Sequence, residues 1–229
     1  MLATIAAMGT LYLVRHGQAS FGAADYDQLS PLGTRQCQAL GEWFAARGIH
    51  FEAVLRGTLK RHVQSLAGIS GGYGEMPAAL EWPGLNEYDS DALLRTVHQG
   101  PLAVPTSPEM YRAHFRLLRE ALARWMAGQS HPDGMPTWAD FTAGVAAALD
   151  HVRTTNERDV LLVSSGGPIA TAVHQVLGTP AATMIELNMR IRNSALTEFA
   201  FTPKRHMLQS YNHLPHLDGA ERRSWVTYS

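Results

Sequence analysis

Apolar residues come along this chain in two rhythms. Short unbroken runs, LYLV from Leu11, AVL inside FEAVLRG (Phe51 to Gly57) and VLLV from Val160, each end on a residue where the backbone can turn: Arg15-His16-Gly17, Arg56-Gly57 and Ser164-Ser165-Gly166-Gly167. Runs of that length, rich in strand formers and not alternating with polar residues, predict strands buried on both faces of a parallel sheet. Elsewhere the apolar positions recur at helical spacing: Met110, Phe115, Leu118, Leu122 and Trp125, then Trp138, Phe141, Val145, Leu149 and Val152. These predict two helices, over about 108–126 and 137–152.

Punctuation sharpens the pattern. Ser30 followed by Pro31 reads as a helix cap with proline in the first turn, and Gly48 as the stop of that helix. A second helix is expected from about Thr58 to Ile69, ended by the glycine-rich SGGYGEMP, in which Gly71 to Gly74 read as a turn. A third strand is expected in ALEWPGLNE, a helix between Pro168 and Gly178, and a closing hairpin of LTEFAF and MLQSYN at a sheet edge. Strands alternating with helices predict an α/β fold of three αβα layers, a mostly parallel central sheet flanked by helices. One domain over 1–229 is expected, with a helical insertion at about 88–153.

Composition removes several partners. With 19 Lys and Arg against 20 Asp and Glu, the net charge of -1 provides no electrostatic surface for nucleic acid or membrane lipid. A single cysteine, Cys37, leaves no internal disulfide and no thiolate metal cluster, and reads as core. The apolar N-terminus MLATIAAMGTLYLV has no Lys or Arg ahead of its apolar run and merges into the first strand, so the chain reads as cytoplasmic, with Met1 or Met8 as the start. No segment reaches the roughly 20 apolar residues of a membrane span. His213 and His216 are three apart, but Pro215 breaks any helix between them and no metal or cofactor is expected. Nothing in the sequence sets an oligomeric state.

In a parallel sheet the loops after the strands gather at one rim, where open α/β sheets place their ligands. That rim would hold Arg15 and His16, the Arg56 to Arg61 segment, Asn86 and Glu87, and the Ser164 to Gly167 turn. Guanidinium groups, an imidazole, a carboxylate and a glycine turn with convergent N–H groups suit a phosphate ester.

LVRHG, then TLKRHVQS, LNE and VLLVSSGG resemble, in that order, the histidine phosphatase superfamily, the phosphoglycerate-mutase-like group. The resemblance implies that His16 attacks phosphorus and becomes a phosphohistidine, that Arg15 and Arg61 clamp the phosphoryl group, and that Glu87 is the proton donor. Arg61 matches the arginine of S-x-L-x-R-A-x-Q-T. Gln18, Ser20, Ser165 and Gly166 join Arg15 and Arg61 as expected substrate-binding residues. The expected substrate is a small-molecule phosphate ester.

The chain also departs from the family pattern. Ser165 stands where V-S-H-G-G has its second histidine, Gly57 where a serine is usual, and Ala19 and Gly22 where Ser or Thr and Asn are frequent. Loss of one preorganised donor costs roughly 100- to 1000-fold in related sites, so Ser165→His is expected to raise the rate. His62, next to Arg61 on the helix, is expected to face elsewhere. The W-N and F-x-G-W stretches of the family's mutases are absent from QASFGAADYDQLS, which ranks phosphatase first, a phosphate-binding pseudoenzyme or regulatory protein second, and a mutase third.

Overall fold

The structure, a computed structural model, describes residues 8–20, 27–100, 103 and 105–228. The N-terminal residues 1–7, on which the reading of the leader rests, and Gly22 lie outside the described residues. Six strands form one sheet in the order β3-β2-β4-β1-β5-β6. They are β1 (Gly9–Arg15), β2 (Ala53–Arg56), β3 (Ala79–Glu81), β4 (Val160–Ser164), β5 (Leu196–Thr202) and β6 (Arg205–His213). The first four in that order run parallel; β5 lies antiparallel beside β1, and β6 beside β5. Only β6 of the expected hairpin is therefore at the edge, because β5 covers the free side of β1.

Burial on both faces follows from the unbroken apolar runs. Leu11, Leu13, Val160 and Leu162 point to one side of the sheet, where they meet Val145, Leu149 and Ile169. Tyr12, Val14, Leu161 and Val163 point to the other, against Leu40, Phe44 and Ile69. The helices so placed are α1 (Pro31–Ala46) and α2 (Lys60–Tyr73) on the second face, and α5 (Trp138–Thr155) and α6 (Gly166–Leu177) on the first. Also present are α3 (Ser90–Arg95), α4 (Pro108–Met126) and α7 (Ala181–Asn188). Leu93, Leu118, Leu122, Trp125 and Phe141 from α3, α4 and α5 close over Ala170 of α6 and Met184 of α7 in a third cluster. Phe115, expected on the apolar stripe of α4, is exposed, and Ala121 is buried on that helix instead.

Ser30 caps α1 as its sequence suggests, its hydroxyl accepting from the Gly33 N–H, and Gly48 beyond the helix end has a φ of +63°. α2 does not stop at Ile69. It runs on through Gly71 and Gly72 to Tyr73, so these glycines are helical and not a turn. The reason is the closeness of α1 and α2: a Cβ on Gly72 would meet the Gln38 carbonyl at 2.1 Å, and one on Gly41 the Ile69 carbonyl at 2.0 Å. Glycine in these helices sacrifices local propensity to let two backbones touch. Gly41→Ala should therefore force the helices apart and lower stability by about 1–3 kcal/mol in chemical denaturation. An unchanged midpoint would show that the contact is dispensable.

Candidate functional site

The parallel register sets the site. Arg15 stands opposite Ser164 across β1 and β4, and Arg56 opposite Val163 across β2 and β4. The ladder continues one step beyond the strands: the His16 N–H donates to the Ser164 carbonyl at 2.9 Å, and the Gly57 N–H to the Val163 carbonyl at 3.1 Å. Three loops distant in sequence thereby leave the sheet side by side. A fourth is tied in by the Ser164 hydroxyl, which donates to the Leu85 carbonyl at 2.7 Å and fixes the segment leading to Glu87.

His16 is buried, and its Nδ1 lies 2.8 Å from the Gly17 carbonyl. A carbonyl only accepts, so Nδ1 carries the hydrogen and Nε2 keeps its lone pair. Burial holds the imidazole well below its ordinary pKa of 6.5, and the neighbouring Arg15, Arg61 and His62 press in the same direction. The ring is thus neutral and in the tautomer that a nucleophile requires.

Both arginines are buried and oriented by partners of their own. Arg15 donates through Nη1 to the Ile191 carbonyl at 2.5 Å. Arg61, in the first turn of α2, pairs through Nη1 with Asp27 at 2.8 Å. The same carboxylate accepts from the Lys60 N–H at 2.8 Å, so Asp27 caps a helix whose N-cap residue, Leu59, has no capping side chain.

Glu87 sits at the start of α6, with both carboxylate oxygens 3.1 Å from the Gly167 N–H. Burial raises its pKa above 4.5, while the Gly167 hydrogen bond and the charges of Arg61 and Arg15 oppose that rise. A carboxyl poised upward and resting on a helix N-terminus is equipped both to give and to take a proton. Gly167 is needed for it: a Cβ there would fall 2.1 Å from Glu87 Oε1.

Arg15, His16, Arg61, Glu87, Ser165 and Gly166 thus share one end of the sheet. Gln18 and Ser20 follow on the segment that leaves β1. Gln18 turns its Oε1 to the Ser30 hydroxyl at 2.8 Å, bracing the cap of α1, and Ser20 is engaged through its backbone N–H with the Gln28 carbonyl at 2.7 Å. A cleft of about 440 Å³ bordered by Arg192, His213, Leu217 and Arg223 has none of the six in its lining.

The expectation that His62 faces elsewhere is wrong. Its ring is fully buried, 6.0 Å from that of His16 between centroids, and its Nε2 lies 2.7 Å from the Ser165 hydroxyl. Helical spacing alone turns adjacent residues about 100° apart, but at the first turn of α2 both directions point inward, Arg61 toward Asp27 and His62 toward Ser165. Asp27 was likewise not singled out, since nothing in its local sequence signals a pairing 34 residues away.

The family model described as "Histidine phosphatase superfamily (branch 1)" matches residues 11–214. The chain belongs to that superfamily. A comparison with curated proteins gave no significant match. Among solved structures, this superfamily member is similar to a phosphoserine phosphatase variant from Entamoeba histolytica in complex with phosphoserine, at 19% identity and a TM-score of 0.62 over 91% of this chain and 99% of that one. It is also similar to the phosphoglycerate mutase of Bacillus anthracis (17% identity, TM-score 0.64, 92% and 96%) and to the mycobacterial glucosyl-3-phosphoglycerate phosphatase (20%, 0.62, 89% and 98%). At these identities the shared property is the phosphoglycerate-mutase-like αβα fold. Cys37 is core, with burial raising its thiol to about 11; His216 meets Ser194 at 3.0 Å and His213 meets Glu198 at 3.2 Å. No helix among the described residues is long and apolar enough to cross a membrane.

Histidine-selective ¹⁵N NMR on the free protein should find His16 neutral, with hydrogen on Nδ1, at pH 6.5, where an unperturbed imidazole is about half protonated. The proton should enter only as the pH falls further, because burial, with Arg15 and Arg61 beside the ring, disfavours the cation. Titration at or above 6.5 would contradict this electrostatic picture.

Proposed function

We propose that this superfamily member is a metal-independent phosphatase that hydrolyses a small-molecule phosphate monoester through a phosphohistidine on His16. The observation that carries the reading is the placement of His16: the Gly17 carbonyl holds its Nδ1 at 2.8 Å and so leaves the lone pair on Nε2, at the end of the sheet shared with the buried Arg15 and Arg61 and with Glu87, where burial favours the neutral ring and the protonated carboxyl. In the reaction, the Nε2 lone pair attacks phosphorus and the bond to the ester oxygen breaks. Glu87 gives its proton to the departing alkoxide. Water then attacks the phosphohistidine, the Glu87 carboxylate takes a proton from that water, and cleavage of the P–N bond releases inorganic phosphate and returns His16 to its starting form. Arg15 and Arg61 offset charge on the three equatorial oxygens, so that positioning and charge neutralisation carry most of the catalysis. Arg61 reaches this role by exchanging part of its pairing with Asp27 for the phosphoryl group.

The ester class is supported by what related folds hold, phosphoserine in one and 3-phosphoglyceric acid in another. The clusters of α3, α4 and α5, joined to the Glu87 loop through Tyr88, whose ring lies 6.0 Å from Trp125 and 6.3 Å from Phe141, form the side of the pocket that selects the alcohol. We place all of this in a single cytoplasmic domain, the α3–α5 region being its helical insertion. One observation favours a second reading, a phosphate-binding protein with little turnover: a serine at position 165 supplies no imidazole of its own.

Hydrolysis of an aryl phosphate in the presence of a chelator should be measurable and should fall by at least about 1000-fold in His16→Ala, since no nucleophile remains. Label from a ³²P-labelled substrate should stay on the protein in base and be lost in acid, as for a phosphoramidate. Turnover surviving His16→Ala removes the covalent route. Glu87→Gln should impair alkyl phosphates, which have poor leaving groups, far more than aryl phosphates. Equal losses across both would take the proton-donor role from Glu87.

A further inference from the structure

Three departures from the family pattern, Gly57, His62 and Ser165, meet at one point. The His62 ring lies against Gly57 so closely that a Cβ there would be 2.2 Å from Nδ1 and 2.7 Å from Cε1. A serine at position 57, as in S-x-L-x-R-A-x-Q-T, would thus exclude the ring, and the alanine of that motif at position 62 would leave the space empty. On its other side the ring is held by the Ser165 hydroxyl at 2.7 Å. Glycine makes room, histidine fills it and serine anchors it.

We infer that His62 supplies, from the first turn of α2, the second imidazole of the phosphoryl site, and that Ser165 is the positioning residue that sets its tautomer and angle. This rests on the phosphatase reading above and adds a catalytic group to it. Two observations support it. The ring stands 6.0 Å from that of His16, tilted by 38°, within the same electrostatic cluster as Arg15 and Arg61. Further, His62 is fully buried and its Nδ1 has no hydrogen-bond partner among the described residues. A buried polar atom left unpaired costs stability and calls for a partner. In this assignment the Ser165 hydroxyl donates to Nε2 and the hydrogen resides on Nδ1, a donor awaiting an acceptor. A phosphoryl oxygen is such an acceptor. Burial together with Arg61 and Arg56 takes the pKa of His62 down to about 3, so the donor is neutral throughout the working range.

The arrangement revises the expectation for Ser165→His. An imidazole placed on residue 165 would enter the space of the His62 ring, so this single substitution should lower activity. The experiment compares wild type with His62→Ala, His62→Asn, Ser165→His, and the triple variant Gly57→Ser/His62→Ala/Ser165→His. Readouts are aryl phosphate kcat, affinity for orthovanadate by calorimetry, and thermal midpoint. His62→Ala should lose about 100- to 1000-fold in kcat and weaken vanadate binding with it. His62→Asn, which keeps an amide nitrogen near the place of Nδ1, should recover at least tenfold of that loss. The triple variant, with its imidazole moved to the other element, should recover to within about tenfold of wild type, whereas Ser165→His alone should not. Changes under threefold in both kcat and vanadate affinity for His62→Ala, or a gain in Ser165→His alone, would overturn the role while leaving the phosphatase reading intact. A loss in His62→Ala that neither His62→Asn nor the triple variant recovers, paralleled by a lower thermal midpoint, would assign His62 to structure alone and also overturn it. Wild-type protein that neither turns over aryl phosphate nor binds vanadate would overturn the phosphatase reading, and the role of His62 with it.

Discussion

The pairing of β1 with β4 is the constraint on which the rest depends. Those strands are about 150 residues apart in the chain, yet their register is fixed wherever side chains are buried on both faces, because a slip of one residue would exchange Leu11 and Leu13 with Tyr12 and Val14 between two differently shaped layers. That register puts Arg15 beside Ser164 and lets the His16 N–H reach the Ser164 carbonyl. From there the geometry propagates: Ser165 follows at the cap of α6, Gly167 offers its N–H to Glu87, and the Ser164 hydroxyl pins the Leu85 carbonyl ahead of that carboxyl. A site assembled from four loops keeps its geometry only if its frame is rigid, and a sheet buried on both sides is the element able to impose that.

Electrostatics then follow from burial. Desolvation is the largest influence on His16, His62 and Glu87 alike, and it moves each toward its neutral form. Neutral imidazoles and a carboxyl of raised pKa beside two permanent cations leave the pocket with the charge an oxyanion requires. Asp27 partly balances that charge in the free protein by pairing with Arg61, which also orders α2 at its first turn. The ion pair therefore holds the guanidinium in place at the first turn of α2.

Much of this was legible in the sequence because it depends on residues adjacent to strand ends. LYLV followed by Arg15-His16-Gly17, and VLLV followed by the serine-glycine turn, announce both strand and rim, and the helices over Pro108–Met126 and Trp138–Thr155 follow from apolar spacing. What escaped depends on contact between backbones or on distant partners. Gly71 and Gly72 look like a break by local propensity, but α2 runs through them, with Gly72 packed closely against the Gln38 carbonyl of α1. His62 looked outward because Arg61 already claimed the inner face. Its inward turn becomes intelligible only with Gly57 and Ser165 beside it, three substitutions of which each is unremarkable alone. The Asp27 pairing and the turn of Gln18 toward Ser30 are of the same kind.

We propose that these separated segments grip one phosphoryl group with His16 aimed at its centre. A crystal structure of the protein with orthovanadate tests it most directly. Vanadate is expected as a trigonal bipyramid with His16 Nε2 at one apex, Arg15 and Arg61 on its equatorial oxygens and Glu87 beside the opposite apex. Vanadate bound away from Nε2, or contacted by neither guanidinium, would contradict it.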